Sequence, residues 1–186
     1  WMFYASINMS PTGGMWKDAP ALFKYIERCQ AFLTAGEPDS DFLLYFPVYD
    51  IWSTSTATPY MMFDIHSMDR KMPQVKEAMN AILAAGYDAD YISDTQLLEL
   101  EISKPVIVPD CTYMPVETAR RLVELKEQGV PVYFVGGVPE DVPGLHDLAA
   151  RRREFRKAAR KFGKPVSMET AFAGVKPEEF KSKEGG

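Results

Sequence analysis

The chain is poor in histidine and cysteine. Only two histidines and two cysteines occur among 186 residues. Two cysteines cannot form the disulfide framework of a small secreted domain. Cys29 sits inside a helical pattern and Cys111 in a loop after a strand, and nothing in their spacing predicts that they pair. No run of eighteen apolar residues is present, so the sequence offers no membrane-spanning helix. The opening WMFYASINM lacks the charged region and long apolar core of a signal peptide. Positive charge is in deficit. A net charge of −5 and a pI near 5.1 argue against a general nucleic-acid binder. There is no internal repeat, and SKEGG is the one low-complexity stretch.

What remains suits a folded domain. The chain is 46% hydrophobic and 25% charged, enough apolar matter to bury a core. Its clearest unit runs from Pro105 to Gly144. A bare apolar run (Val106, Ile107, Val108) is bounded by prolines and followed by the turn-rich DCTYM. Pro115 and Glu117 then open a helical pattern with Val116, Ala119, Leu122 and Val123 on one face. Gly129 stops it, and a second β-branched run, Val130 to Val135, ends at Gly136-Gly137. Strand, helix and strand of this kind predict buried, parallel strands.

The rest of the chain reads around that unit. Residues 2–7 predict a short strand. Asp18 can cap a helix with Pro20 in its first turn, ended by Gly36 and Pro38. Asp41 leads into a strand running to Phe46, then a loop carrying Tyr49, Asp50 and Trp52. Residues 53–70 read as a long loop or lid, and 73–85 as a helix closed by Gly86. YDADYIS predicts a strand, and Asp94 is expected to cap the short helix after it. A basic helix stops at Gly163, and the tail is expected to hold one short strand before fraying.

From residue 41 the order is strand, helix, strand, helix, strand, helix, strand. That predicts a doubly wound, three-layer α/β sandwich of about four mainly parallel strands, preceded by one strand–helix unit. The expected division is 1–38, 39–176 and a tail at 177–186. A start at Trp-Met-Phe-Tyr looks like a strand from inside something longer, so the chain is expected to be a fragment.

Several constellations compete for chemistry. Gly136-Gly137 is followed by two prolines and two acids in VPEDVPG, which removes amide donors and repels phosphate, so a stiff connection is expected there. Cys111 precedes a helix start, where a thiolate can be stabilised, and could serve a small hydrolase or amidotransferase. The adjacent Asp110 would raise the thiol's pKa, and only His66 and His146 could act as its base. Asp64, His66 and Asp69 could ligate a metal, but no spacing matches a named site and the neighbouring methionines read as packing. The run Arg151, Arg152, Arg153, Arg156, Lys157, Arg160, Lys161 reads as a solvated helix face. Aromatics following strands, Tyr49 and Trp52 among them, can stack on sugar rings and equally can be core or interface. A glycan- or protein-binding module therefore stays open as an alternative.

Three segments carry a resemblance: FYASINMSP, then YIERCQAFLTAGEPDSDFLLYFPVYDIW, then MPVETARRLVELKEQGVPVYFVGGVPEDVPG. Together they resemble glycoside hydrolase family 106, the α-L-rhamnosidase-like enzymes of bacteria that degrade plant material. The resemblance implies a periplasmic or secreted bacterial parent acting on rhamnose-containing glycans. It implies that residues 1–38 are the last strand and helix of a (β/α)8 barrel. The following domain would be of flavodoxin or glutamine-amidotransferase-like type, without catalytic residues of its own. It further implies calcium in the parent and catalytic acids upstream of Trp1. Ser6, Asn8, Tyr49, Asp50 and Trp52 would approach the sugar. The apolar face of residues 19–35, without its barrel neighbours, is expected to contact another copy or fold back.

Overall fold

The computed structural model describes residues 10–36, 39–53 and 72–176. The chain divides into two compact units, Trp1–Asp39 and Ser40–Gly186. Residues 2–7 lie outside the described residues, so the expected barrel strand has no counterpart to report.

The first unit contributes α1 (Ala19–Leu33). Asp18 occupies the N-cap position and Pro20 lies in the first turn, as the sequence suggests, but the Asp18 side chain makes no capping hydrogen bond. The helix carries a row of exposed apolar residues, including Leu22, Phe23, Ile26, Phe32 and Leu33.

The second unit contains β1 (Phe42–Tyr45), α2 (Val48–Ser53), α3 (Pro73–Ala84), β2 (Ala89–Ile92) and α4 (Asp94–Glu99). It continues with β3 (Val106–Pro109), α5 (Val116–Glu127), β4 (Val132–Val135), α6 (Leu148–Ala159) and α7 (Met168–Phe172). The strands form one sheet in the order β2-β1-β3-β4, every pair parallel. Phe42 stands against Ala89, Leu43 against Val106, and Ile107 against Tyr133.

Strand position explains strand composition. Inner strands are covered on both faces and need near-continuous apolar runs, whereas edge strands can alternate. All four residues of β3 are buried, as are three of the four in β1. At the edges, β4 alternates and β2 buries only Ile92. One face of the sheet packs with α3 and α7 through Phe42, Leu44, Ile107, Val75 and Ile82. The other packs with α4, α5 and α6 through Val106, Val108, Leu97, Leu122 and Phe155. Helices on both faces make the predicted three-layer α/β sandwich.

The order 2-1-3-4 is that of a flavodoxin-like doubly wound sheet. The chain leaves β1 towards β2 and then crosses back to β3. The switch therefore falls between the carboxyl ends of β1 and β3, where such folds open a crevice.

Three local expectations are corrected. Residues 48–53 form α2, not a loop, with Pro47 just before the helix and Asp50 in its first turn. Ser93, not Asp94, caps α4: its hydroxyl accepts from Gln96 N while Gln96 Oε1 accepts from Ser93 N, a capping box. Among the described residues the tail forms α7 and one parallel bridge, between Val166 and Val135, rather than a strand.

Candidate functional site

Four chain turns meet at the carboxyl edge of the sheet: α2 after β1, Ser93-Asp94 after β2, residues 110–114 after β3, and residues 136–142 after β4. Their backbones are tied together. The carboxylate of Asp50 accepts hydrogen bonds from the amides of Thr112 and Tyr113, both at 2.8 Å, which clamps α2 to the turn after β3. The amides of Glu140 and Asp141 donate to Thr112 O at 2.9 and 3.0 Å, and Met114 N donates to Asp141 O at 3.0 Å. Arg152 grips Asp141 with both Nε, at 2.7 Å, and Nη2. Those hydrogen bonds hold the Asp141 carboxyl below the usual range.

Beneath the edge lies a buried polar cluster that local sequence patterns did not reveal. Tyr45 Oη donates to Asp94 Oδ1 at 2.8 Å, and Thr118 Oγ1 donates to the same oxygen at 2.5 Å. Asp94 Oδ2 is buried without a hydrogen-bond partner. Burial drives the Asp94 pKa up, opposed by the hydrogen bonds from Thr118 and Tyr45. The Tyr45 hydroxyl is likewise pushed up, first by burial and then by the nearby Asp94 charge. One carboxyl thus joins β1, α4 and α5, out of reach of any substrate.

The two positions most suggestive of chemistry are closed. Cys111 is 4% exposed, and its thiol is pushed far up by burial, then by the charges of Asp50, Asp110 and Asp94. Among the described residues nothing hydrogen-bonds its sulfur. The side chain of His146 is 93% exposed and stands 3.6 Å from the Asp147 carboxylate. His66, with Asp64 and Asp69, lies outside the described residues. We therefore expect Cys111 to resist iodoacetamide in the native protein at pH 8 and to react once urea unfolds it. Rapid native labelling, located by mass spectrometry, would contradict the closed geometry.

Gly136-Gly137 serves the approach of Asp110. Gly136 has φ +86°, and a Cβ on Gly137 would collide with Oδ1 of Asp110. A carboxylate over these amides is the wrong charge for a phosphate cradle. The basic run is partly engaged with acids: Lys157 pairs with Glu154 and Lys161 with Glu127, each at 2.7 Å, while Arg120 of α5 reaches across to Glu154, also at 2.7 Å. Among the described residues no group of three acidic, histidine or cysteine side chains could hold a metal ion.

What stays open is aromatic. Tyr49 and Trp52 lie three residues apart on α2, with rings 5.5 Å apart at 81°. Trp52 is 67% exposed. They form one wall of a cleft of about 430 Å³ whose other walls include Pro115, Glu117, Pro143 and Arg151. Glu117 and Arg151 were not singled out as site residues from sequence, since only the fold brings positions 117 and 151 beside α2. Asp50 faces the backbone clamp described above. Ser6 and Asn8 lie outside the described residues. A separate apolar cleft of about 340 Å³, lined by Phe46, Val75, Met79 and Tyr91 among others, opens near β2.

Fold and edge together define a flavodoxin-like α/β domain with an aromatic cleft at its switch point. No family model matches the chain, and no curated protein matches it. Among solved structures, β-galactosidase from Bifidobacterium adolescentis matches at 20% identity and a TM-score of 0.42. That match covers 68% of this chain and 56% of that one. A superposition at this level is too loose to transfer topology or activity.

Proposed function

We propose that the chain is an accessory α/β part of a carbohydrate-degrading glycoside hydrolase of the α-L-rhamnosidase type. In this reading it is not itself catalytic and serves as scaffold and as rim to a sugar site. The observation that carries it is the contrast at the carboxyl edge. Cys111 is buried and hard to ionise, whereas the Trp52 indole stands exposed beside Tyr49. A thiol-dependent hydrolase or amidotransferase needs the reverse, an accessible thiolate with a base beside it. On the resemblance alone, Ser6 and Asn8 are proposed to approach the sugar of the parent enzyme. The catalytic acids, and any calcium, are assigned to other parts of the parent enzyme.

The test offers 4-nitrophenyl α-L-rhamnopyranoside to the isolated chain and to a longer protein that carries it. Turnover is expected from the longer protein alone. Turnover by the isolated chain, lost in Cys111→Ala, would replace this reading with an independent hydrolase. A glycan-binding module is the second reading, favoured by the same exposed indole. Glycan binding by the chain, with no turnover by the longer protein, would select it.

A further inference from the structure

We infer that the cleft beside α2 binds one neutral sugar ring, seated in the corner made by Tyr49 and Trp52 and hydrogen-bonded by Glu117 and Arg151. This deepens the carbohydrate reading above and rests on it for the choice of a sugar among polyols.

Size sets the first limit. A cleft of about 430 Å³ falls in the range of small-molecule sites and suits one ring better than a nucleotide or a peptide. Shape and polarity set the second. Two aromatic rings at 81° give an apolar corner for the C–H face of a pyranose. The indole of Trp52 is too exposed to be core, so burial within this unit does not account for it.

Charge decides between ligand classes. Glu117 is exposed and can only accept hydrogen bonds when ionised, while Arg151 can only donate. Arg151 Nη1 donates to His146 O at 3.2 Å and Nη2 to Pro143 O at 2.5 Å, which fixes the guanidinium and leaves three of its N–H groups unused by those bonds. An anionic ligand would meet the Glu117 charge and a cationic one the Arg151 charge. A ligand bearing several hydroxyls, each both donor and acceptor, satisfies the two together. The platform is also preorganised: the Asp50 clamp holds α2, and so both rings, against the turn after β3. Asp50 is therefore a positioning residue for the rings.

Calorimetry with the full 186-residue chain tests the assignment, using L-rhamnose, D-galactose and D-galacturonate as probes. A neutral sugar is expected to bind with a Kd on the order of 1 mM, and galacturonate about tenfold more weakly. Trp52→Ala should weaken the neutral sugar about tenfold with the melting temperature unchanged. Glu117→Gln should relieve the penalty against galacturonate, an effect that loss of structure would not produce. Equal binding by Trp52→Ala and the unmodified chain, or no heat from either neutral sugar, overturns the inference. Sugar binding here without rhamnoside turnover by the longer protein leaves the inference standing and removes the rhamnosidase reading. Turnover by the longer protein with no binding by this chain does the opposite.

Discussion

Asp94→Ala is expected to lower the stability of the chain by about 3 kcal/mol, read as a fall in the urea midpoint at constant slope. The substitution removes the one acceptor shared by the buried hydroxyls of Tyr45 and Thr118. Each orphaned hydroxyl costs about 1–3 kcal/mol, and relief of the buried carboxyl returns only part of that. Asp94→Asn keeps an Oδ1 acceptor in nearly the same shape and should cost about 1 kcal/mol. The two variants therefore separate loss of the acceptor from loss of the charge.

The same residue gives a pH signature with a definite sign. Burial raises the Asp94 pKa in the folded state above its ordinary carboxylate value. Between those two values the folded chain holds a proton that the unfolded chain has released. The Asp94 contribution to stability is thus full below the ordinary carboxylate range and falls as pH rises through the folded pKa. The stability of the unmodified chain relative to Asp94→Asn should decline across that window. A relative gain with rising pH would show that the hydrogen bonds from Tyr45 and Thr118 outweigh burial.

Phe134→Ala is expected to cost about 3–5 kcal/mol, a large share of the stability of a domain this size. Phe134 is 2% exposed on β4, with its ring 4.5 Å from that of Phe162, which in turn meets Phe155 of α6 at 6.1 Å. Truncation would open a cavity between the edge strand and the helix covering it, and the surrounding side chains could refill it only in part. Phe32→Ala, at a position 83% exposed, should change stability by no more than about 0.5 kcal/mol. A loss below about 1 kcal/mol at Phe134 would mean that α6 does not cover the sheet as described.

The layered fold was legible because burial leaves local marks. Val106–Val108 reads as a buried inner strand from its unbroken apolar run, and Gly86, Gly129 and Gly163 all adopt the positive φ of a helix stop. Ser93 as the cap of α4 was also written locally, in the spacing Ser-x-x-Gln, and so was α2, in Pro47 followed by Asp50. Each competes with a second local signal, Asp94 as an alternative cap and the aromatics as residues that suit a loop. The Asp94 cluster had no local mark. Its partners stand 49 and 24 residues away, so only the pairing of strands and helices reveals it. The candidate site was half legible. Tyr49 and Trp52 stand out as aromatics after a strand, but Glu117 and Arg151 join them only through the fold.

The proposed reading rests on one contrast at the carboxyl edge, where Cys111 is buried and the Trp52 ring is exposed. A proton–nitrogen correlation spectrum of the isolated chain, titrated with the neutral sugar, tests it directly. A sugar in the cleft beside α2 predicts shifts centred on residues 49–53, 116–117 and 144–151, with residues 136–137 and Cys111 essentially unmoved. Shifts centred instead on Asp110, Cys111 and Gly136-Gly137 would contradict it and return the ligand to the nucleophile side of the sheet.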